Sequence, residues 1–331
     1  MKKQILLSVC IALLAIAACN KKERNTSEMN NEDIIEVLTI RINKDPKNAD
    51  LYHDRGKVLL DLQRNNEAIA DLTIASNLEP NEVSHLLLLG DAYFATGNVE
   101  QSYQKFQQAI DLEPENNEAY LKLGEIAFYC RDYDRSLECL SKVTENDNNN
   151  LTALFMKGFI YKEKGDTAKA VTLFRKVCDA HPNHSPAFEE LGMLYATHHN
   201  PLAVEYLNTA IRIDPANNSA KYALAMYFQD EGNFANAEEL YKSILDNNAN
   251  HAPAWHNRGF IELYHMNNPT TAIEHFTRAI QIDPNFIEAY TNRGHAFLAN
   301  GDHDKALEDF KSAIAINPEF SPAVDALKQF K

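Results

Sequence analysis

The sequence contains few of the residues that dominate loop-rich, disulfide-bonded or nucleic-acid-binding proteins. It has 11 glycines and 12 prolines in 331 residues, too few for a chain made mostly of turns. Its five cysteines form no C-x-x-C pair, so a zinc or redox motif of that kind is missing. Lys and Arg number 32 against 47 Asp and Glu, and the net charge of -15 would be repelled by a phosphate backbone. We therefore expect no nucleic-acid partner.

Sequence signatures of catalysis are also missing. There is no glycine-rich phosphate loop, no H-E-x-x-H and no G-x-S-x-G. The twelve histidines are scattered without a cysteine or carboxylate at ligand spacing, and several of them, such as His181 and His198, fall in predicted turns. The sequence therefore predicts a non-enzymatic protein with no metal and no cofactor.

A single stretch of the chain is strongly apolar. It covers residues 5–18, follows Lys2 and Lys3, and is too short to span a membrane comfortably, so residues 1–18 are typical of a secretory signal. Two small residues stand directly before Cys19, which resembles the lipobox of bacterial lipoproteins. The resemblance implies cleavage before Cys19 and a lipid on that residue, whereas in an ordinary signal peptide Cys19 would be incidental.

The segment after Cys19 is polar and contains almost no apolar side chains. It cannot bury enough surface to fold, so residues 19–32 are interpreted as a flexible tether. Together with the lipid, this predicts attachment to a membrane of the bacterial cell envelope, with the outer membrane facing the periplasm as the preferred location.

The rest of the chain repeats with a period of 33 to 35 residues. A small residue recurs at Gly56, Gly90, Gly124, Gly158, Gly192, Ala225, Gly259 and Gly294. A second small residue follows at Ala68, Ser102, Ser136, Ala170, Ala203, Ala237, Ala272 and Ala306. Most repeats close on a proline, at Pro80, Pro114, Pro182, Pro215, Pro284 and Pro318. Each repeat therefore predicts a helix A and a helix B that cross closely at the paired small residues, followed by a turn at the proline.

This pattern resembles the tetratricopeptide repeat (TPR) in its length, its Leu/Arg-Gly pair, its downstream alanines, its Phe or Leu and its proline. The resemblance implies an all-α fold, a right-handed superhelical solenoid of about eight helix-turn-helix units, with a concave groove lined by the A helices. The eight repeats are 49–82, 83–116, 117–150, 151–184, 185–217, 218–251, 252–286 and 287–320. A capping helix at 33–48 precedes them, and another at 321–331 follows.

One stripe of each A helix is expected to face that groove. Its residues stand three positions before the small residue of helix A and one, four and five positions after it. This spacing places them on one face of the helix. Its apolar members are the candidate binding residues Leu87, Phe94, Leu121, Phe128, Tyr129, Phe155, Phe159, Met193, Tyr222, Met226, Phe260 and Tyr264. Acidic members such as Asp91 and Glu125 lie beside them. An aromatic stripe with acidic edges suits a basic or amphipathic peptide, although some of these side chains could instead pack against the next hairpin.

Two hypotheses on function follow from these features. The first is a protein-protein interaction scaffold, or adaptor, anchored by lipid in the envelope, and the second is a regulator that binds and controls a single envelope hydrolase. Homo-oligomerisation is compatible with either. TPR co-chaperones bind a C-terminal carboxylate with a set of basic and Asn residues. That set is missing here, because matching positions hold residues such as Leu88 and Glu118.

Two smaller features are left open by the sequence. Cys130 and Cys139 flank one predicted turn, and they are either a disulfide or small packing residues. Asp166-Thr167-Ala168 resembles the short sites that are O-glycosylated on some exported bacterial proteins, which would make Thr167 the acceptor.

Overall fold

The computed structural model describes residues 30–328 and residue 330, and over these residues it contains eighteen α-helices and no strand. The all-α fold predicted from the repeat is therefore confirmed. The predicted signal peptide, Cys19 and most of the predicted tether lie outside the described residues. The chain forms two compact units, one ending at Ala153 and the other beginning at Leu154.

The helices follow the chain in hairpin order. They are α1 (Asn31–Lys44), α2 (Ala49–Asp61), α3 (Asn65–Leu78), α4 (Val83–Ala95), α5 (Val99–Leu112), α6 (Asn117–Tyr129), α7 (Tyr133–Asn146), α8 (Leu151–Glu163), α9 (Thr167–Ala180), α10 (Ser185–Ala196), α11 (Leu202–Ile213), α12 (Asn218–Asp230), α13 (Phe234–Asn247), α14 (Ala252–Tyr264), α15 (Pro269–Ile282), α16 (Ile287–Ala299), α17 (His303–Ile316) and α18 (Ser321–Lys328). In the first compact unit α2 packs on α3, α4 on α5 and α6 on α7. In the second, α10 packs on α11, α12 on α13, α14 on α15 and α16 on α17.

Many of the helices are capped at their N-terminus by a local side chain. Oδ1 of Asn116 accepts a hydrogen bond from the backbone N–H of Ala119 at 2.9 Å, and Oδ1 of Asn217 does the same for Ala220 at 2.9 Å. These amides would otherwise lack an acceptor at the N-terminus of a helix. Asp166 caps α9 in the same way, with its Oδ1 3.2 Å from the backbone N of Lys169. The structure thus gives Asp166 a capping role beside Thr167.

Helix α1 begins two residues before the predicted start at residue 33. The side chain of Asn30 caps it by accepting from the backbone N of Asp33 at 2.9 Å, so the last residues assigned to the tether are helical. Leu38 and Ile42 of α1 are buried in a cluster with residues of the first repeat, including Tyr52 and Ala75. Burial of these apolar side chains makes α1 a cover for the first hairpin.

The core of each hairpin is a large side chain of helix B placed on the small residue of helix A, which is glycine in seven repeats and Ala225 in the sixth. A Cβ on Gly90 would lie 2.6 Å from Cε1 of Phe106, and a Cβ on Gly294 would lie 2.6 Å from Cε1 of Phe310. The equivalent large residues are almost fully buried at Leu72, Phe106, Leu140, Phe174, Leu207, Tyr241, Phe276 and Phe310. The second small residue of the repeat also lies where helices A and B cross. In the third repeat, Oγ of Ser136 donates to the carbonyl of Gly124 at 2.7 Å.

One residue of each A–B turn adopts a left-handed backbone conformation. Four of the eight turns place glycine there, as at Gly97 with a φ of 75°. The other four use a residue with a side chain, such as Arg131 with a φ of 58°. Only glycine adopts this conformation without a steric cost, so the two sets of turns differ in strain.

Among the helices that the structure describes, none combines the length and the apolar character that crossing a membrane would require.

Cys130, Cys139 and Cys178 are free thiols, with Cys130 exposed and Cys178 buried. The disulfide that the sequence left open is therefore not formed.

Candidate protein-interaction surface

In the first compact unit, Leu87 is part of the core. Its side chain is 8% exposed and lies in a cluster with Val83, Phe106 and Leu123. Its prediction as a groove residue is therefore wrong, because its side chain packs in a cluster built from α4, α5 and α6.

The three aromatic residues of the predicted stripe in the first compact unit form a small patch at the C-terminal ends of α4 and α6. The ring centroids of Phe94 and Tyr129 are 5.6 Å apart, and those of Phe128 and Tyr129 are 6.1 Å apart. Phe94 and Phe128 are half-buried, whereas Tyr129 is 70% exposed. Phe94, Phe128 and Tyr129 are called the first aromatic patch, and Leu121, also half-buried, lies on α6 two turns before them.

Acidic residues on the same helices gather around one lysine. Nζ of Lys122 lies 2.9 Å from Oδ1 of Asp91 and 4.0 Å from Oε2 of Glu125. Burial raises the pKa of Glu125, and although burial lowers the pKa of Lys122, the hydrogen bond and charge of Asp91 give it a net rise. Two carboxylates thus share one ammonium, which leaves an excess of negative charge at this point.

In the second compact unit, Phe155 and Phe159 pack inward on helix B of their own repeat. Their centroids lie 5.5 Å and 5.8 Å from that of the buried Phe174. The ammonium of Lys162 lies 4.4 Å from the ring centroid of Phe159 and is held by Oε2 of Glu190 at 2.6 Å. One face of Phe159 is therefore already occupied by a cation.

Tyr222 and Met226 are joined by an asparagine from the next repeat. The buried Nδ2 of Asn257 lies 3.1 Å from the hydroxyl of Tyr222, 3.0 Å from Sδ of Met226 and 3.0 Å from the hydroxyl of Tyr241. Burial raises the pKa of Tyr222, so its hydroxyl stays protonated. Met193, another predicted groove residue, packs half-buried on the cluster around Leu207 and Leu224.

A chain of hydrogen bonds continues from Asn257 along the A helices. Nδ1 of His256 lies 3.0 Å from Oδ1 of Asn257, and Nε2 of His256 lies 2.9 Å from Nδ2 of Asn292. The hydroxyl of Tyr264 donates to Oδ1 of Asn292 at 3.3 Å. Burial lowers the pKa of His256, which favours the neutral ring that can donate at Nδ1 and accept at Nε2.

This chain of hydrogen bonds ends beside a second group of aromatic residues. The ring centroids of Phe260 and Tyr264 are 4.7 Å apart, and Tyr264 is 47% exposed. The ring of His265 stacks on Phe234 with centroids 3.8 Å apart, and Met266 is 54% exposed. Phe260 and Tyr264 are called the second aromatic patch.

The structure thus divides the predicted stripe into residues that pack and residues that are accessible. Tyr129 and Tyr264 are the most accessible of the predicted set, and Leu87 is buried. Sequence reasoning missed the hydrogen-bonding asparagines, although a signal existed. Asn257 and Asn292 both stand two residues before the glycine of their repeats, where Leu88 stands in the second repeat.

Comparison with known proteins supports the repeat assignment along most of the chain. The family description "Cytochrome c-type biogenesis protein H TPR domain" matches residues 79–188. Families described as "Tetratricopeptide repeat" match residues 194–252 and 287–320, and one described as "TPR repeat" matches residues 262–301.

Full-length relatives are distant and longer than this chain. Superkiller protein 3 of Schizosaccharomyces pombe is 25% identical over 283 residues, which cover 83% of this chain and 18% of the relative. DnaJ homolog subfamily C member 7 of Homo sapiens is 25% identical over 295 residues, covering 80% of this chain and 60% of the relative. The chain therefore spans less than two thirds of the length of either relative.

A solved structure agrees with the fold. The C-terminal part of a TPR repeat-containing protein from Cytophaga hutchinsonii matches with a TM-score of 0.60 at 17% identity, covering 72% of this chain and 98% of that one. With the family matches above, the chain belongs to the tetratricopeptide repeat proteins.

Proposed function

We propose that this chain is a non-enzymatic adaptor, anchored by a lipid on Cys19 in the bacterial cell envelope, that holds partner proteins or peptides on its A helices. The single observation that carries the binding proposal is the exposure of two tyrosines on those helices. Tyr129 is 70% exposed and Tyr264 is 47% exposed, although each lies against another aromatic ring. Tyrosines anchored in this way offer a large contact area at little entropic cost, which is typical of binding surfaces.

The charge of the chain favours a basic or amphipathic partner. The net charge is -15, and Asp91 and Glu125 flank the first aromatic patch with only Lys122 between them. An apolar segment that carries Lys or Arg would place its apolar side chains on the tyrosines and its cations beside the carboxylates. Binding that depends on these charges should weaken as the salt concentration rises.

The binding proposal is tested by substituting the accessible tyrosines. Tyr129→Ala and Tyr264→Ala are made separately in the full chain, which is then used to capture partners from detergent-solubilised membranes. We expect each variant to lose captured proteins while its helical circular dichroism stays unchanged. Leu202→Ala with Ile316→Ala is the matched control, because these apolar side chains on B helices are 40% and 39% exposed. Equal capture by the tyrosine variants and the control would reject the surface.

The same capture experiment separates an adaptor from a regulator. Several envelope-assembly proteins lost together in the tyrosine variants would support the adaptor, whereas a single hydrolase would support the regulator. The lipid anchor is tested independently with Cys19→Ser. We expect the native chain in the membrane fraction with a lipid-modified N-terminal cysteine, and the variant released from it. A native chain whose mass shows no lipid would reject the anchor and leave the binding surface untouched.

A further inference from the structure

Three metal-ligating side chains converge where the first repeat meets the second. Asp50 lies in the first turn of α2, Glu79 is the C-cap residue of α3, and His85 lies in the first turn of α4. One ligand atom from each of the three lies within 4.8 Å of the other two. The connection between α3 and α4 brings Glu79 to His85, and the packing of α2 adds Asp50, which is 35 residues before His85 in the sequence.

The imidazole of His85 is buried and only partly satisfied. The residue is 1% exposed, and its Nε2 has no hydrogen-bond partner within the described part of the chain. The nearest carboxylate oxygen, Oε2 of Glu79, lies 3.7 Å from Nε2, which is too long for a hydrogen bond. A buried polar atom without a partner costs about 1–3 kcal/mol, so this arrangement is unfavourable without a further group between the ring and the carboxylates.

A second histidine orients the first. Nδ1 of His53 lies 3.0 Å from Nδ1 of His85, so one of the two nitrogens must carry the proton and the other must accept it. A neutral His53 can accept the proton of His85 at Nδ1, and Nε2 of His85 then presents its lone pair towards Asp50 and Glu79.

We propose that Asp50, Glu79 and His85 form a binding site for a Zn²⁺ ion, with His53 as the residue that positions the imidazole of His85. Zinc accepts both imidazole nitrogen and carboxylate oxygen as ligands, and a water would complete four-coordination here. Magnesium and calcium are less well suited, because they take oxygen ligands and higher coordination numbers. A metal-bound histidine usually donates its other ring N–H to a neighbouring acceptor, which is the role of His53 here.

The geometry requires only small movements to reach zinc coordination. Bonds of about 2.0–2.2 Å to zinc place tetrahedral ligand atoms about 3.3–3.6 Å apart, compared with the present spread of up to 4.8 Å. Asp50 and Glu79 are both exposed, so their carboxylates can rotate towards the buried and immobile His85. A bound cation would also neutralise two carboxylates and link α2, α3 and α4.

The neighbouring repeat supplies a matched control. Glu113 is the C-cap residue of α5, as Glu79 is of α3, but Ala119 stands where the next repeat would need the equivalent of His85. Glu79→Gln and Glu113→Gln therefore make the same chemical change at the same position of consecutive repeats. Both variants keep all cysteines and histidines, so any zinc bound by those residues elsewhere contributes equally to both.

The experiment is a titration of the metal-free full chain with Zn²⁺, followed by calorimetry, and with Co²⁺, followed by its visible absorption. We expect native protein and Glu113→Gln to bind one equivalent at this site and to melt at a higher temperature with zinc. Glu79→Gln and Asp50→Asn should weaken that binding at least tenfold and lose the thermal shift. Equal zinc affinity in Glu79→Gln and Glu113→Gln, or no zinc binding by the native chain, would overturn the proposal.

Discussion

The guanidinium of Arg293 binds the carboxylate of Asp309 through two hydrogen bonds of 2.8 Å, one from Nε and one from Nη2. Its Nη1 donates to the hydroxyl of Thr277 at 3.0 Å. The side chains of Arg293 and Asp309 are 17% and 5% exposed, so the pair is largely removed from water. Arg293, directly before Gly294, thus joins α16 to α17, which is helix B of its own repeat, and to α15, which is helix B of the preceding repeat.

The same contacts occur at the other end of the array. Nε and Nη2 of Arg55 bind Asp71 at 2.6 Å and 2.7 Å, and Nη1 of Arg55 donates to Thr39 at 2.9 Å. Thr39 belongs to α1, which therefore takes the place of helix B of a preceding repeat. The two pairs lie in the first and last repeats, each of which packs against a capping helix.

The first prediction concerns the Arg293–Asp309 pair. Arg293→Leu should lower the free energy of unfolding by about 3–5 kcal/mol, because it leaves the carboxylate of Asp309 buried without its partner. The double variant Arg293→Leu with Asp309→Leu should recover most of that loss, since the sixth repeat has Leu224 and Leu240 at the same two positions. Urea denaturation of the native chain, the single variants Arg293→Leu and Asp309→Leu, and the double variant measures the coupling. A double variant as unstable as Arg293→Leu would contradict it.

A second prediction concerns the glycine of the helix crossing. Gly90→Ala should destabilise the chain by about 1–2 kcal/mol, because overpacking against Phe106 exceeds the gain in helix propensity of about 1 kcal/mol. Gly124→Ala is the graded comparison, since its Cβ would lie 3.0 Å from Cδ2 of Leu140, the end of a flexible side chain. We expect a smaller loss there. Equal melting temperatures for the two variants would contradict the packing argument.

A third prediction concerns the left-handed residue of each A–B turn. Gly97→Ala should destabilise the chain by about 1 kcal/mol through backbone strain alone, because a Cβ at Gly97 would meet no other atom within 4 Å. Arg131→Gly should have the opposite sign and stabilise it by up to about 1 kcal/mol, since Arg131 holds the same conformation with a side chain. Chemical denaturation of both variants decides the point, and changes of the same sign would refute it.

A fourth prediction concerns pH and His275. Burial lowers the pKa of His275 to about 4, and the charge of Arg258 contributes to the shift. Because the pKa of His275 in the folded chain lies below its unfolded value of about 6.5, folding favours the neutral ring. The contribution of His275 to the free energy of unfolding is therefore complete above pH 6.5 and is lost as the pH falls towards 4. We expect a loss of about 1–3 kcal/mol over this range, at about 1.4 kcal/mol for each pKa unit.

The variant His275→Gln tests the assignment of that slope. It should reduce the loss of stability between pH 6.5 and 4.5 without abolishing it, because burial also lowers the pKa values of His256 and His295. Denaturation at pH 8 and pH 7 is the internal control, since no large change is expected between them. An unchanged slope in the variant would show that another group controls the acid sensitivity.

Much of the fold could be predicted from the sequence because its determinants are local. The small residue of helix A, the small residue of helix B and the closing proline lie within one repeat, and each acts on its own hairpin. The large buried residue sixteen positions after the glycine, as Phe106 is after Gly90, follows from the same register. The left-handed turn residues were harder to predict, because only half of them are glycine.

The interaction surface was predicted less accurately because it depends on how neighbouring repeats pack. Helical spacing placed Leu87 and Tyr129 on one stripe, yet Leu87 is 8% exposed and Tyr129 is 70% exposed. The link from Asn257 to Tyr222 joins residues 35 positions apart, and no periodic pattern within one repeat predicts it.

The sequence by itself determined the period, the hairpins and the residues at their crossings, since small and large side chains at fixed spacing can pack in only one register. The tertiary structure alone decided which side chains of the predicted stripe remain accessible. It also brought Asp50 and Glu79 to the buried ring of His85, against the expectation that the histidines form no metal-ligand cluster. The physical reason is that exposure and ligand distances depend on the angle and spacing between successive repeats, which sequence periodicity does not specify.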